Sequence, residues 1–344
     1  MTQIISVDFY FKNLNNIPII DVRSPGEFAK GHIPNAYNIE LFTDEERAVV
    51  GTAYKKESKE RAIAIGYEFV QPKLKNFIIK SLEVAPQKKV VIHCWRGGMR
   101  SNAFANYLFE NGFKEVYLLE KGYKAFRNHV LDFFDQSFNL NILGGFTGAG
   151  KTEVLHSLKN KGQQVIDLEG LANHRGSAFG GIDLPPQPTT EQFENNFFLA
   201  LHSLNIHLPI WVEDESKSIG KVSIPNAFYY KMMEMPVYFL EVPFQERTNH
   251  LVTTYACLSH NKLADAISKI TKRLGNDKAK LALEALEAKN YNKVVEMVLF
   301  YYDKYYLKGL EKRDPSTILK FEVSSVNPEE TASFLIKIKK WILL

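Results

Sequence analysis

The chain has 344 residues, 45% apolar and 24% charged, which fits a globular protein but exceeds one ordinary core, so two or three domains are expected. Two cysteines far apart exclude a disulfide framework, zinc spacings are absent, and no apolar run approaches the roughly 20 residues needed to cross a bilayer. Net charge is +4, and residues 260–344 carry 16 Lys/Arg against 11 Asp/Glu, so the surplus lies in the C-terminal quarter. Such a surplus suits contact with a polyanion, and equally a solvated lysine-rich helical surface. The start, Met1-Thr-Gln-Ile-Ile-Ser-Val-Asp8, lacks the basic and apolar regions of a signal peptide. A cytoplasmic protein with reduced thiols and no membrane partner is expected.

Residues 1–133 read as one α/β unit. Pro18-Ile-Ile-Asp-Val22, Val90–Ile92 and Val116–Leu119 are short apolar runs suited to buried strands, with helical periodicity between them. Alternating strand and helix implies a parallel sheet with functional loops at the strand C-termini. The second run leads into His93-Cys-Trp-Arg-Gly-Gly-Met-Arg-Ser101 and then a helical pattern. A strand–loop–helix of this kind points backbone N–H groups and a helix N-terminus at one place, which suits an anion and a thiolate. Cys94 therefore reads as a nucleophile, with Arg96, Gly97, Gly98 and Arg100 forming an anion cradle. Asp21-Val-Arg-Ser-Pro-Gly-Glu-Phe-Ala-Lys-Gly-His-Ile-Pro-Asn-Ala36, followed about sixty residues later by the Cys94 loop, resembles a rhodanese domain. That resemblance implies chalcogen transfer through Cys94. The loop has one residue more between cysteine and arginine than the commonest sulfurtransferase form. His93-Cys94-x5-Arg100-Ser101 also resembles dual-specificity phosphatases, and a wider loop has room for a phosphate-like group.

A polar bridge, 134–141, marks the expected boundary, and a second domain is expected over 138–250. Leu140–Leu143 reads as a strand, followed by Gly145-Phe-Thr-Gly-Ala-Gly-Lys-Thr152 and a helical segment. This is the P-loop pattern, in which Gly145, Thr147, Gly148 and Gly150 let the backbone wrap phosphates, Lys151 supplies a charge and the Thr152 hydroxyl can ligate Mg²⁺. A glycine-rich loop over 168–181 holds His174 and Arg175 as candidate substrate contacts; a flexible lid is the plainer alternative. Pro209-Ile-Trp-Val-Glu-Asp-Glu-Ser-Lys-Ser-Ile-Gly220 reads as a strand with an acidic turn, placing Glu213 or Asp214 at the Mg²⁺-binding carboxylate position. Lys217 and Ser218 are candidates for an anion pocket, Arg247 for a phosphate contact, and no firm metal site is read. Cys257 reads as structural. Residues 251–344 form a mainly helical, basic region in which Phe300, Tyr301, Tyr302, Tyr305 and Tyr306 interleave with Lys304, Lys308, Lys312 and Arg313. Aromatics beside basic residues suit stacking on unpaired RNA bases, and equally helix packing.

The fold class expected is thus α/β: a rhodanese-like parallel-sheet domain, a P-loop NTPase-like α/β domain and a helical C-terminal region. Cys94–Ser101, Gly145–Thr152 and Glu213–Gly220 together resemble the tRNA 2-selenouridine synthase family over nearly the whole chain. The resemblance implies replacement of sulfur by selenium in wobble 2-thiouridine of tRNA, with selenophosphate as donor. It also implies an S-geranylated intermediate made from geranyl diphosphate, whose diphosphate would occupy the P-loop, and a selenophosphate-producing enzyme as partner. The rivals are a cysteine phosphatase or sulfurtransferase fused to a small-molecule kinase, and a regulatory nucleotide-binding module.

Overall fold

A computed structural model describes residues 2–342. The chain divides into two compact units, residues 1–133 and 134–344.

In the first unit, five strands pair in parallel: β1 (Gln3–Ile5), β2 (Ile19–Asp21), β3 (Tyr37–Asn38), β4 (Lys89–His93) and β5 (Glu115–Leu119). Their spatial order is β1-β5-β4-β2-β3, so β4 is central. Val90, Val91 and Ile92 are wholly buried, the mark of a parallel strand covered on both faces. Helices Leu74–Val84 and Met99–Glu110 supply Phe77, Phe104, Ala105 and Leu108 to the same core. The helix Asp44–Lys56 starts in a reciprocal cap: Glu46 N–H donates to Thr43 Oγ1 at 3.2 Å, and Thr43 N–H donates to Glu46 Oε2 at 2.9 Å.

The second unit repeats the plan. Its strands are β6 (Leu140–Gly145), β7 (Gln164–Ile166), β8 (Ile210–Glu213), the small antiparallel hairpin β9 (Ser218–Ile219) and β10 (Val222–Ser223), β11 (Val237–Glu241) and β12 (Ile318–Glu322). All but the hairpin form a parallel sheet in the order β12-β11-β6-β8-β7, with β6 central. The α/β class with parallel sheets is as the sequence implies. Within the expected polar bridge, Phe134 and Phe138 are buried, and both meet the Phe228 ring edge-on. Their apolar rings outweigh the polar residues around them.

Helices Phe244–Tyr255, His260–Leu274, Asn276–Glu287 and Tyr291–Leu310 build a core of their own from Leu263, Ile267, Ala282, Leu286, Val295 and Val298. After these helices the chain returns to the sheet. β12 pairs with β11, and helix Pro328–Ile342 places Ala332 and Leu335 in one cluster with Val154, Leu155 and Leu158 of helix Lys151–Asn160. Glu329 ties the two helices together, accepting from Ser157 Oγ at 3.0 Å and pairing with Lys161 at 2.7 Å. The helical reading of 251–344 therefore misses one strand, Ile318–Glu322, which from Leu319 on alternates half-buried and exposed positions as an edge strand does.

Leu335 is fully buried behind the phosphate-loop helix. Leu335→Ala is expected to lower the unfolding free energy of the second unit by about 2–5 kcal/mol in urea titration. A loss under about 1 kcal/mol would show that the terminal helix rests on the unit without completing its core.

Candidate functional site

Two loops follow the two central strands. In the first unit Cys94 lies just past β4, only 3% exposed, with its Sγ 3.2 Å from Ser101 Oγ. Ser101 Oγ also donates to Gly98 O at 3.1 Å. Among the described residues the backbone N–H groups of Trp95, Arg96, Gly97 and Gly98 donate to no protein acceptor. Four successive amides with no protein acceptor, just ahead of the helix Met99–Glu110, form a concavity suited to an anion. Gly97 has φ +61°, and a Cβ there would meet Leu119 O at 2.8 Å.

The loop rests on residues the sequence reading did not nominate. Tyr123 N–H donates to Cys94 O at 2.9 Å and Lys124 N–H to Trp95 O at 3.0 Å. Gly122, at φ +57°, has no room for a side chain: a Cβ would lie 2.1 Å from Cys94 O and 2.6 Å from Gly97 N. Beneath the loop, buried Arg23 grips Asp21 through Nε at 2.9–3.0 Å and Nη2 at 2.6 Å, donates to Gly31 O at 2.7 Å, and stacks 3.9 Å from the Tyr123 ring centre. Burial works against the Asp21 charge, but attraction to His93 and the bonds from Arg23 outweigh it and hold that carboxyl below its usual range. Burial also pushes His93 down, and the Arg23 guanidinium is the permanent cation paired with Asp21, at 2.6 Å.

The two cradle arginines differ. Arg96 is exposed and makes no ion pair among the described residues. Arg100 donates from Nη1 to Glu27 Oε2 at 2.8 Å. Burial opposes the Glu27 charge, yet Arg100 and then Arg47 keep the carboxyl below its ordinary range. Glu27 lies inside the Asp21–Ala36 motif, and its helix Pro25–Lys30 brings it to Arg100 from 73 residues away.

In the second unit the phosphate loop has its glycines in left-handed or wide conformations, with φ +151° at Gly145, +83° at Gly148 and +75° at Gly150. A Cβ on Gly148 would meet Leu251 at 2.9 Å and Arg247 O at 3.0 Å, so no larger residue fits. The N–H groups of Phe146, Thr147, Gly148 and Gly150 donate to no protein acceptor among the described residues. Lys151 Nζ donates to Gly145 O at 2.9 Å, and Thr152 Oγ1 donates to Glu169 Oε2 at 2.9 Å.

Carboxylates crowd this loop. Glu213 is 2% exposed; its Oε1 accepts from Glu169 N–H at 2.7 Å, and its Oε2 has no partner. Burial pushes Glu213 well above the usual range, and the charges of Asp167 and Glu169 add to the push. Glu215 is raised likewise by burial and then by Glu169; burial also raises Glu169 despite Lys151 and Thr152. Gly176 of the glycine-rich loop abuts them, since a Cβ there would lie 2.7 Å from Glu215 Oε1. No three His, Cys, Asp or Glu among the described residues are arranged to hold a metal ion by themselves.

Of the Glu213/Asp214 pair, Glu213 is the one that joins the phosphate-loop cluster. Asp214 is engaged elsewhere, accepting from Arg313 Nη2 and Tyr306 Oη, each at 2.6 Å. Arg247 is not an open phosphate contact. It is 3% exposed, gripped by Asp303 at 2.8 and 2.9 Å, and donates to Thr147 O at 3.1 Å, so it braces the loop. Sequence supplies its charge and conceals its partner. Lys217 is exposed, and Ser218 lies in the hairpin with its Oγ 3.4 Å from Ser223 Oγ; no hydrogen bond links either to the phosphate loop. His174 packs against Gly181 and Gly220, its Nδ1 is without a partner, and burial lowers its basicity; Arg175 is exposed. The loop carrying them is anchored, with Phe179 and Ile182 set in the helical core. Cys257 is exposed in a turn beyond helix Phe244–Tyr255, so the structural role read for it does not hold.

The aromatic helix Tyr291–Leu310 divides by face. Tyr302 Oη accepts from Ala178 N–H at 2.7 Å, and Tyr306 Oη accepts from Gly145 N–H at 3.3 Å. These two tyrosines serve the loops and are not available for stacking. Phe300 and Tyr305 are 64% and 60% exposed, beside exposed Lys304 and Lys308 that form no ion pair among the described residues.

The chain matches the family model of the rhodanese-like domain over residues 10–129 and that of the tRNA 2-selenouridine synthase AAA domain over residues 138–329. It is similar to a tRNA 2-selenouridine synthase of Sulfurovum sp. (38% identity, 82% of each chain). Similar proteins of the same description occur in Nitrosomonas europaea (33% identity, 86% of this chain and 90% of that one) and Bdellovibrio bacteriovorus (35%, 90% and 93%).

Glu213 yields a pH test. A carboxyl raised in the native state stabilises fully below the ordinary glutamate range and loses that contribution as pH rises through the raised value. Glu213→Gln stays neutral throughout, so its stability relative to wild type should improve in denaturant titrations as pH rises above the ordinary glutamate range toward the raised value. A gap that does not change with pH would mean that Glu213 ionises normally.

Proposed function

Because the chain belongs to the tRNA 2-selenouridine synthase family, we propose that it replaces sulfur by selenium in 2-thiouridine at the tRNA wobble position. The observation that carries this reading is one chain holding both a cysteine loop and a phosphate loop with unpaired amides. Selenophosphate is the donor: it is a tetrahedral anion, suited to the amides of Trp95–Gly98 with Arg100 and the exposed Arg96 beside them. Cys94 is the nucleophile that acts on it.

The phosphate loop takes the diphosphate of geranyl diphosphate, with Lys151 and the amides of Phe146, Thr147, Gly148 and Gly150 as its ligands. Transfer of the geranyl group to the C2 sulfur turns that sulfur into a better leaving group for selenium to displace. Mg²⁺ fits here because it is ordinarily held by one or two carboxylates, a hydroxyl and substrate phosphates. Glu213, with its orphaned Oε2, and Thr152 would hold it, and it would neutralise phosphate charge. The RNA lies against the solvent face of helix Tyr291–Leu310, where Phe300 and Tyr305 offer stacking surfaces and Lys304 and Lys308 offer charge. An enzyme that makes selenophosphate is the expected partner, and the cytoplasm is the expected place. No described helix is long and apolar enough to cross a membrane.

Mass spectrometry of tRNA nucleosides tests both loops. Cys94→Ala should form no 2-selenouridine while binding tRNA within about twofold of wild type. Lys151→Ala should slow geranyl transfer on the order of a hundredfold. Selenouridine made by purified Cys94→Ala protein overturns the role of the cysteine. Undiminished geranyl transfer by Lys151→Ala overturns the placement of the diphosphate.

A further inference from the structure

Ser101 Oγ has one proton and two acceptors within reach, Gly98 O at 3.1 Å and Cys94 Sγ at 3.2 Å. With Cys94 as a thiol, the S–H donates to the hydroxyl and the hydroxyl donates to Gly98. With Cys94 as a thiolate, the hydroxyl can turn and donate to sulfur. A donor that follows the charge on sulfur is of most use when that sulfur is expelled as a leaving group.

The electron count of selenophosphate bears on which atom Cys94 attacks. Its selenium is already at the selenide level, so an S–Se bond to Cys94 would oxidise the pair by two electrons. That step needs a two-electron acceptor: either phosphorus itself, which would have to leave as phosphite, a poor leaving group, or an outside oxidant, and the second cysteine, Cys257, is a free thiol. Attack at phosphorus needs none.

Resting on the reading of the chain as a selenouridine synthase, we propose that Cys94 accepts the phosphoryl group of selenophosphate and not its selenium. The Cys94 S–P bond forms and the P–Se bond breaks, the electron pair leaving with selenium as hydrogen selenide. The selenide adds at C2 of the S-geranylated base, the geranylthiolate departs, and the selenide proton goes with it to give geranylthiol. Water then attacks the phosphocysteine; inorganic phosphate is released and Cys94 leaves as a thiolate stabilised by Ser101. The sum converts selenophosphate, water and S-geranyl-2-thiouridine into phosphate, geranylthiol and 2-selenouridine. The free amides of Trp95–Gly98 and the guanidinium of Arg100, steadied by Glu27, face the charge on the phosphoryl oxygens through both phosphorus steps.

The full-length protein is mixed with selenophosphate, quenched in acid-free denaturant, and the Cys94 peptide is weighed by mass spectrometry. Phosphoryl on Cys94 without selenium is expected. In Ser101→Ala the phosphorylated form should accumulate at least about tenfold above wild type while kcat falls and the donor KM holds. Ser101→Thr, which keeps the hydroxyl, should restore wild-type levels. Selenium on Cys94, or no phosphorylated Cys94 in either wild type or Ser101→Ala, overturns the proposal. Parallel analysis of the tRNA separates the two readings. Selenouridine formed with no phosphocysteine sinks this inference alone, whereas phosphocysteine formed with no selenouridine sinks the selenation reading.

Discussion

At the C-terminal end of its central strand each unit keeps a mostly half-exposed loop whose backbone N–H groups engage few protein acceptors among the described residues. That arrangement needs rigid support. In the first unit the support is the turn at Gly122, whose missing side chain lets Tyr123 and Lys124 hold the carbonyls of Cys94 and Trp95. With these carbonyls held, the amides of Trp95–Gly98 are left for a ligand. In the second unit Arg247 holds Thr147 O and Lys151 holds Gly145 O, again occupying carbonyls and leaving amides free. The same solution appears twice with different residues.

The helical part of the second unit follows from this demand. One face of helix Tyr291–Leu310 supplies Tyr302 to the glycine-rich loop, Asp303 to Arg247, and Tyr306 to both Gly145 and Asp214. These positions lie within about one turn, so a shift of the helix would reach every loop around the phosphate site. Burial and then Asp214 push the Tyr306 phenol well above its usual range, so it stays a neutral donor to Asp214. The opposite face carries Phe300, Lys304, Tyr305 and Lys308 to solvent. A polyanion bound there and a phosphate ligand bound inside would press on the same helix from two sides.

Features written locally were legible in the sequence. Val90–Ile92 is continuous in apolar residues because both faces of β4 are covered, and the glycine spacing of 145–152 is dictated by close backbone approach. Features set by long-range pairing were not. Nothing near Gly122 announces that Cys94 O will sit where its Cβ would be. Glu27 stands in a visible motif, but its tie to Arg100 depends on how β2 and β4 pair. Arg247 and Asp214 carry the right charges for ligand contacts, and both were already taken, by Asp303 and by Arg313 with Tyr306. Glu169 and Glu215 do carry a local signal, since both lie just past the C-terminal ends of strands beside the phosphate loop.

The two loops meet opposite electrostatic problems. Around Cys94 the problem is surplus positive charge, and Glu27 absorbs part of it by pairing with Arg100 and Arg47. Around Lys151 the problem is surplus negative charge, because Glu169, Glu213 and Glu215 crowd one lysine and burial gives little screening. A diphosphate entering such a place would add charge of the same sign. It can bind only if the carboxyls retain protons, as their raised affinities favour, or if a divalent cation lies between them and the phosphates. Both routes make phosphate binding here depend on what neutralises Glu213, whose unpartnered oxygen is the position where that neutralising charge is most needed.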